Sequence, residues 1–139
     1  MNGNKFLLVV IDGFSRWPEA FPLPDQKAYT VARAFYEGIV CRHAKPRVLV
    51  TDRGSNFTSQ MMKEVMAYLG VKQLFATPYH NETTGMVERM NQTLENVLQF
   101  YIAQDPRNWD KYIPSTLFAI RTAVNASTGK TPFLSHVST

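Results

Sequence analysis

Cysteine is nearly absent. The chain has one, Cys41, so an internal disulfide is excluded and an intracellular setting is expected. With His43, His80 and His136 it makes one cysteine and three histidines, which match none of the usual closed zinc sets of four, three or two cysteines, so no such site is expected. A bound metal is expected on carboxylates instead. No run of eighteen apolar residues occurs, so no transmembrane helix and no membrane partner are expected. The apolar stretch in MNGNKFLLVVIDG is cut by Asp12, and no small-residue cleavage site follows it. It reads as a strand, not a signal peptide. Repeats, low-complexity tracts and linkers are also missing, which leaves one domain over residues 1–139.

What is present suits a packed domain. Of 139 residues, 45% are apolar and 12% aromatic, enough for a core without staples. Fifteen Lys and Arg against eleven Asp and Glu give a net charge of +4. That permits a nucleic-acid partner without requiring one.

The pattern along the chain alternates strands and helices. Residues 5–11, KFLLVVI, form a continuous apolar run that suits a buried strand. WPEAFPL reads as a second strand, held at an edge by Pro18 and Pro22, which cannot donate to a ladder. Apolar residues from Ala28 to Val40 recur at helical spacing, with Cys41 on that helix's apolar side and His43 at its end. RVLVT (47–51) is a short buried strand, and DRGSNF is a loop. SQMMKEVMAYLG is a helix ended by Gly70. KQLFAT (72–77) is a strand, and PYHNETT is a loop with Gly85 as its free joint. A long helix runs from about Gly85 to Ala103. Asn108 caps another that carries Pro114 in its early turns, and Thr131-Pro132 opens a last one. Trp17 and Trp109 are expected to pack. The order implies a mixed sheet flanked by helices, an α/β architecture.

Three acids stand out by position. Asp12 ends the first strand, Asp52 ends RVLVT, and Glu88 lies in the first turns of the long helix. Strand ends meet at a common rim, where α/β folds bind ligands. Gathered carboxylates repel one another unless a cation joins them, and hard cations prefer oxygen ligands. Each acid also has a bland role: Asp12-Gly13 and Asp52-Arg53-Gly54 suit turns, and Glu88 suits the positive end of a helix. The spacing alone does not choose between these.

The words around the acids do more. VVIDGFSRWPEAFPL, VTDRGSNFTSQ and PYHNETTGMVERMNQTL occur in this order, followed by WDKYIPSTLFAIRTAVNASTGKTPF. Together they resemble the catalytic core of retroviral and long-terminal-repeat retrotransposon integrases, the D,D-35-E family, and most of all its Ty3/Gypsy and gammaretroviral members. The likeness covers about residues 4–134. It implies a ribonuclease H-like fold, with a five-stranded mixed sheet flanked by helices. It also implies Asp12, Asp52 and Glu88 as catalytic metal ligands, thirty-five residues separating the last two. Two Mg²⁺ or Mn²⁺ ions are the implied cofactors, and phosphoryl transfer the implied chemistry. The implied activity trims retroelement DNA 3′ ends and joins them to target DNA. By the same resemblance Asn56, Tyr79, His80, Thr83, Thr84 and Gln92 are expected near DNA. A homodimer is expected, acting on chromosomal DNA in the nucleus after a cytoplasmic or virus-like-particle stage. The family's N-terminal zinc domain and C-terminal SH3-like domain are expected to lie outside this chain.

The sequence departs from the family in places. The loop reads His80-Asn81-Glu82 where relatives carry His-Pro-Gln, and Gln92 and Glu95 stand where basic residues are common. A carboxylate beside the expected DNA path weakens phosphate contact. The alternative reading is therefore a catalytically weak or inactive integrase-derived domain that binds nucleic acid or protein as a scaffold. A bacterial transposase or nuclease of the same fold is a third reading.

Overall fold

The computed structural model describes residues 3–13, 15–51, 53–75 and 81–122. Strands β1 (Phe6–Ile11) and β2 (Pro18–Leu23) form an antiparallel hairpin, with Leu8 opposite Phe21 and Val9 opposite Ala20. Helix α1 (Ala28–Phe35) runs on through a π-helical stretch, Tyr36–Val40, into a last turn, α2 (Cys41–His43). Strand β3 (Val48–Thr51) leads to two helices, α3 (Ser55–Thr58) and α4 (Gln60–Leu69). Strand β4 (Lys72–Phe75) pairs with β3 in parallel. Helix α5 (Asn81–Ile102) is the longest element, followed by a 3₁₀ stretch, Pro106–Tyr112, and by α6 (Ile113–Thr122).

Local chemistry explains most boundaries. Ser59 caps α4, its Oγ accepting from the Met62 amide at 3.2 Å. Gly70 ends the same helix at φ +74°, a left-handed geometry that glycine adopts freely. Pro114 sits in the first turn of α6, where its missing N–H costs little. The prolines of β2 are tolerated because β1 is its sole partner among the described strands.

The core has two halves. Leu23, Val31, Ala32, Phe35, Met62, Met66 and Val71 pack together under α1 and α4. Ala20, Leu94, Leu98, Ile113, Leu117 and Ile120 pack together under α5 and α6. Strand β1 feeds both: Leu8 joins the first half, and Leu7 and Val9 join the second. That two-sided role accounts for its unbroken apolar run. Leu49 of β3 packs on the same half as Leu8, so α1 and α4 cover both strand pairs. Trp109 packs on the second half, as expected, and Tyr101 stacks on Tyr112 at 4.8 Å between ring centres.

Several expectations need correction. The strands number four among the described residues, in two two-stranded sheets, not five in one mixed sheet. Residues 24–27 alone separate β2 from α1, and there the Lys27 amide donates to Asp25 Oδ1 at 3.0 Å, so the chain turns straight into the helix. Residues Ser55–Thr58 are helical, not a loop, the Phe57 and Thr58 amides both donating to the Gly54 carbonyl. Helix α5 starts at Asn81, so Thr83, Thr84 and Gly85 lie within it and not in a loop. Asn81 and Glu82 are residue types that suit a helix start. Asn108 does not cap a helix; it has non-helical φ/ψ inside the 3₁₀ stretch, and Asp105 precedes that stretch. Cys41 is exposed, not core. The wider π-helical turn before it shifts the α register, rotating residue 41 away from the core. The expected last helix at Thr131-Pro132 lies outside the described residues.

Candidate active site

The β1–β2 turn places Asp12. Its amide donates to the Trp17 carbonyl at 3.0 Å, and the Arg16 amide donates to its carbonyl at 2.8 Å. Arg16 takes φ +66° within the turn. The Ser15 hydroxyl donates to Asp12 Oδ2 at 2.8 Å, and the Trp17 amide donates to Ser15 Oγ at 3.2 Å. Asp12 thus organises the hairpin while staying exposed at the strand end.

The end of β3 is fixed by a side chain of β4. Gln73 Nε2 donates to Thr51 Oγ1 at 3.1 Å and to the Phe57 carbonyl at 3.0 Å. One amide therefore ties β4, β3 and α3 together at the residue before Asp52. The Arg53 guanidinium lies 5.0 Å from the centre of the Phe75 ring. Asp52, Tyr79 and His80 lie outside the described residues.

Helix α5 carries Glu88, which is exposed. Asp12, Asn56 and Glu88 are among the residues lining one broad cavity of about 1320 Å³, with Arg16, Thr51 and Asn91, and the cavity also runs along all of β1 and past Leu23, Phe35 and Met62. No motif singles out Asn91. Its signal is its position three residues on from Glu88, a spacing that shares a helix face. Gln92 is exposed and outside that lining, its amide donating to Asn96 Oδ1 at 2.9 Å. Thr83 and Thr84 fall on the first turn of α5. Among the described residues no three Asp, Glu, His or Cys side chains cluster as a metal set. The donor type nonetheless fits: carboxylates at the cavity are hard oxygen ligands, suited to Mg²⁺ or Mn²⁺.

A second charged group braces the site and has no local signal in the sequence. Glu19, on β2, is 4% exposed. It accepts from Trp17 Nε1 at 2.9 Å and is 2.8 Å from Arg121 Nη2 on α6. It also lies 3.2 Å from His43 Nε2 and 3.4 Å from Arg42 Nη1. Burial pushes its carboxyl pKa up, but the Trp17 hydrogen bond and the Arg121, Arg42 and His43 contacts outweigh that and hold it below the usual value. Arg121 also donates to the Pro18 carbonyl and stacks 4.1 Å from the Trp17 ring centre. Trp17 is thus a packing residue, as expected.

Known proteins match this chain. The family model described as the integrase core domain matches residues 1–81. The Pol polyprotein of Radiation murine leukemia virus (strain Kaplan) is 36% identical over 132 residues, which are 94% of this chain and 22% of that protein. The retrovirus-related Pol polyprotein from transposon 412 of Drosophila melanogaster is 27% identical over 121 residues, 87% of this chain and 10% of that protein. The chain thus spans under a quarter of the length of these relatives. Among solved structures, the HTLV-2 integrase catalytic core domain in complex with magnesium has a TM-score of 0.78 at 26% identity, over 94% of this chain and 83% of that one. The chain belongs to the integrase core domain family, and its fold is that of integrase catalytic cores.

Proposed function

We propose that this chain is the metal-dependent polynucleotidyl transferase core of a retroelement integrase, trimming DNA 3′ ends and joining them to target DNA. The observation that carries the reading is the match of residues 1–81 to the integrase core domain family. Asp52 follows β3 directly in the sequence.

Asp12, Asp52 and Glu88 are the residues that would hold Mg²⁺ or Mn²⁺. A metal held there would supply charge neutralisation at the phosphodiester and a lower pKa for the attacking oxygen. The carboxylates serve no covalent role; nucleophile and leaving group both come from water and DNA. Asn56 would supply an amide donor to a phosphate or sugar oxygen. Tyr79, His80, Thr83, Thr84 and Gln92 extend that DNA contact along the chain leading into α5 and along α5 itself. A water or a DNA 3′-hydroxyl forms the new bond to phosphorus in line with the bond that breaks, and the leaving 3′ oxygen takes up the negative charge. The protein works as a dimer or higher assembly on DNA in the nucleus. Dimeric and trimeric forms of the HTLV-2 core domain support the assembly.

The Asp12 carboxylate has a second reading. Its bond from Ser15 and its place at the head of the turn are what a structural aspartate shows. In that case the third carboxylate comes from another part of the polypeptide.

A disintegration assay on a branched oligonucleotide separates these. Product that depends on Mn²⁺ or Mg²⁺ and is lost in Asp52→Asn and in Glu88→Gln supports the reading. Loss in Asp12→Asn as well assigns Asp12 to the metal; retention assigns it to the turn. Metal-independent product contradicts the proposal.

A further inference from the structure

We infer that the end of the sheet where β3 and β4 both start is a binding surface for the phosphate backbone of duplex DNA. Arg42, Lys45, Arg47 and Lys72 form it, with Arg16 of the neighbouring turn. The choice of DNA as the polyanion rests on the integrase reading; the basic surface itself does not.

The backbone brings these residues together. Strands β3 and β4 run parallel, so their first residues, Val48 and Lys72, are partners. The Lys72 amide donates to the Arg47 carbonyl at 2.9 Å. Lys45 reaches the adjoining end of α4, its Nζ lying 2.8 Å from where a Cβ on Gly70 would stand. Arg42, in α2, lies 3.4 Å from Glu19 of the hairpin. Glu19 faces Val10 near the hairpin's closed end, and Arg16 belongs to the turn that follows. Lys45, Arg47 and Lys72 are exposed, and the Arg42 side chain is 57% exposed.

The acids nearby do not cancel these charges. Glu19 is buried and is matched by Arg121 at 2.8 Å. Glu37, one turn before Cys41, is engaged by Arg33 at 2.9 Å. That leaves Asp12 against five cations. The excess of four equals the net charge of the whole chain, +4. Charge gathered at one end makes a local field that the same charge spread evenly would not. Asp12 lies at this end, accepting from Ser15, which favours its role in the turn.

Asp52 follows the far end of β3. The strand has four residues, which at about 3.3 Å each puts about 13 Å between its two ends. A phosphate held by Arg47 and Lys72 is therefore not the one proposed to react near Asp52. Lysine and arginine on strand starts and connecting segments suit contact with the DNA backbone, which positions a duplex without reading its sequence.

Fluorescence anisotropy of a labelled duplex of mixed sequence tests this, titrated with the 139-residue chain in EDTA at several salt concentrations. Each of Arg47→Gln and Lys72→Gln should reduce the slope of log affinity against log salt by about 0.9, and the double variant by about twice that. Lys63→Gln, toward the other end of α4 from Gly70, should keep the parental slope. All these side chains are exposed, so urea midpoints should stay near the parent's. A parental slope in the folded double variant, or an equal loss in Lys63→Gln, would overturn the surface. Product from the branched oligonucleotide is read separately with Mn²⁺. Failure of the integrase reading would show there, while the salt slope still decides the surface.

Discussion

At the scale of single residues, Glu19 is the group whose loss should be felt most in stability. Its carboxylate is buried against Arg121, and removing one partner of such a pair leaves the other charge uncompensated. Glu19→Gln is expected to lower unfolding stability by about 3–5 kcal/mol in urea titration, the range for breaking a buried pair. The same group sets an acid dependence. Its pKa is lower folded than unfolded, so the unfolded state binds the proton first as pH falls. The stabilisation is complete above the ordinary carboxylate range and is lost as pH drops through the folded value. Urea midpoints of the parent should therefore fall below about pH 4.5, and the Glu19→Gln midpoints should fall less over that window. An equal slope in both would remove Glu19 from the account. This pair is invisible in the sequence because Glu19 and Arg121 are remote along the chain and follow no period. Asp12, Asp52 and Glu88, by contrast, are singled out as candidates by the motif words around them. Only two of these lie among the described residues, and the hydrogen bonds of Asp12 add a turn role that the motif does not carry.

At the scale of elements, apolar pattern serves well for strands and helix interiors and poorly for ends. The strands FLLVVI and VLVT and the Gly70 stop are readable because burial and left-handed geometry leave residue-level marks. The start of α5 is not, because Thr83-Thr84-Gly85 has weak helix propensity and the long helix carries it regardless. The π-helical Tyr36–Val40 is also hidden, and with it the outward turn of Cys41. Gly38 within that stretch is buried and meets the Phe21 ring of β2 so closely that an added Cβ would overlap it. Gly38→Ala is expected to destabilise the fold by about 1–3 kcal/mol through overpacking, read from thermal and urea midpoints. A stabilising result, as for an ordinary exposed helical glycine, would show that the helix does not rest on β2 as described.

At the scale of the whole molecule, the α/β class and the family are legible, because three motifs in order are a stronger signal than any local propensity. The extent of the sheet is not. Five strands follow from resemblance, whereas the described residues supply four in two pairs. Strand pairing depends on backbone contacts between remote segments, which no local pattern records. The residues proposed for the metal come from separate elements, Asp12 from the end of β1 and Glu88 from α5. Metal binding should therefore couple to global stability. At a concentration about 100 times the dissociation constant, Mn²⁺ should add about 2.7 kcal/mol to unfolding stability. The double variant Asp52→Asn with Glu88→Gln should show no such gain in urea titrations with and without the metal.

Strand joining on a branched oligonucleotide, with Mn²⁺ and with Mg²⁺, reads metal-dependent catalysis by this chain directly. Metal-dependent product is expected from the parent chain and none from Asp52→Asn or Glu88→Gln, each variant still folded by circular dichroism. Product that persists in either variant, or a parent that binds metal and DNA yet joins nothing, would contradict it.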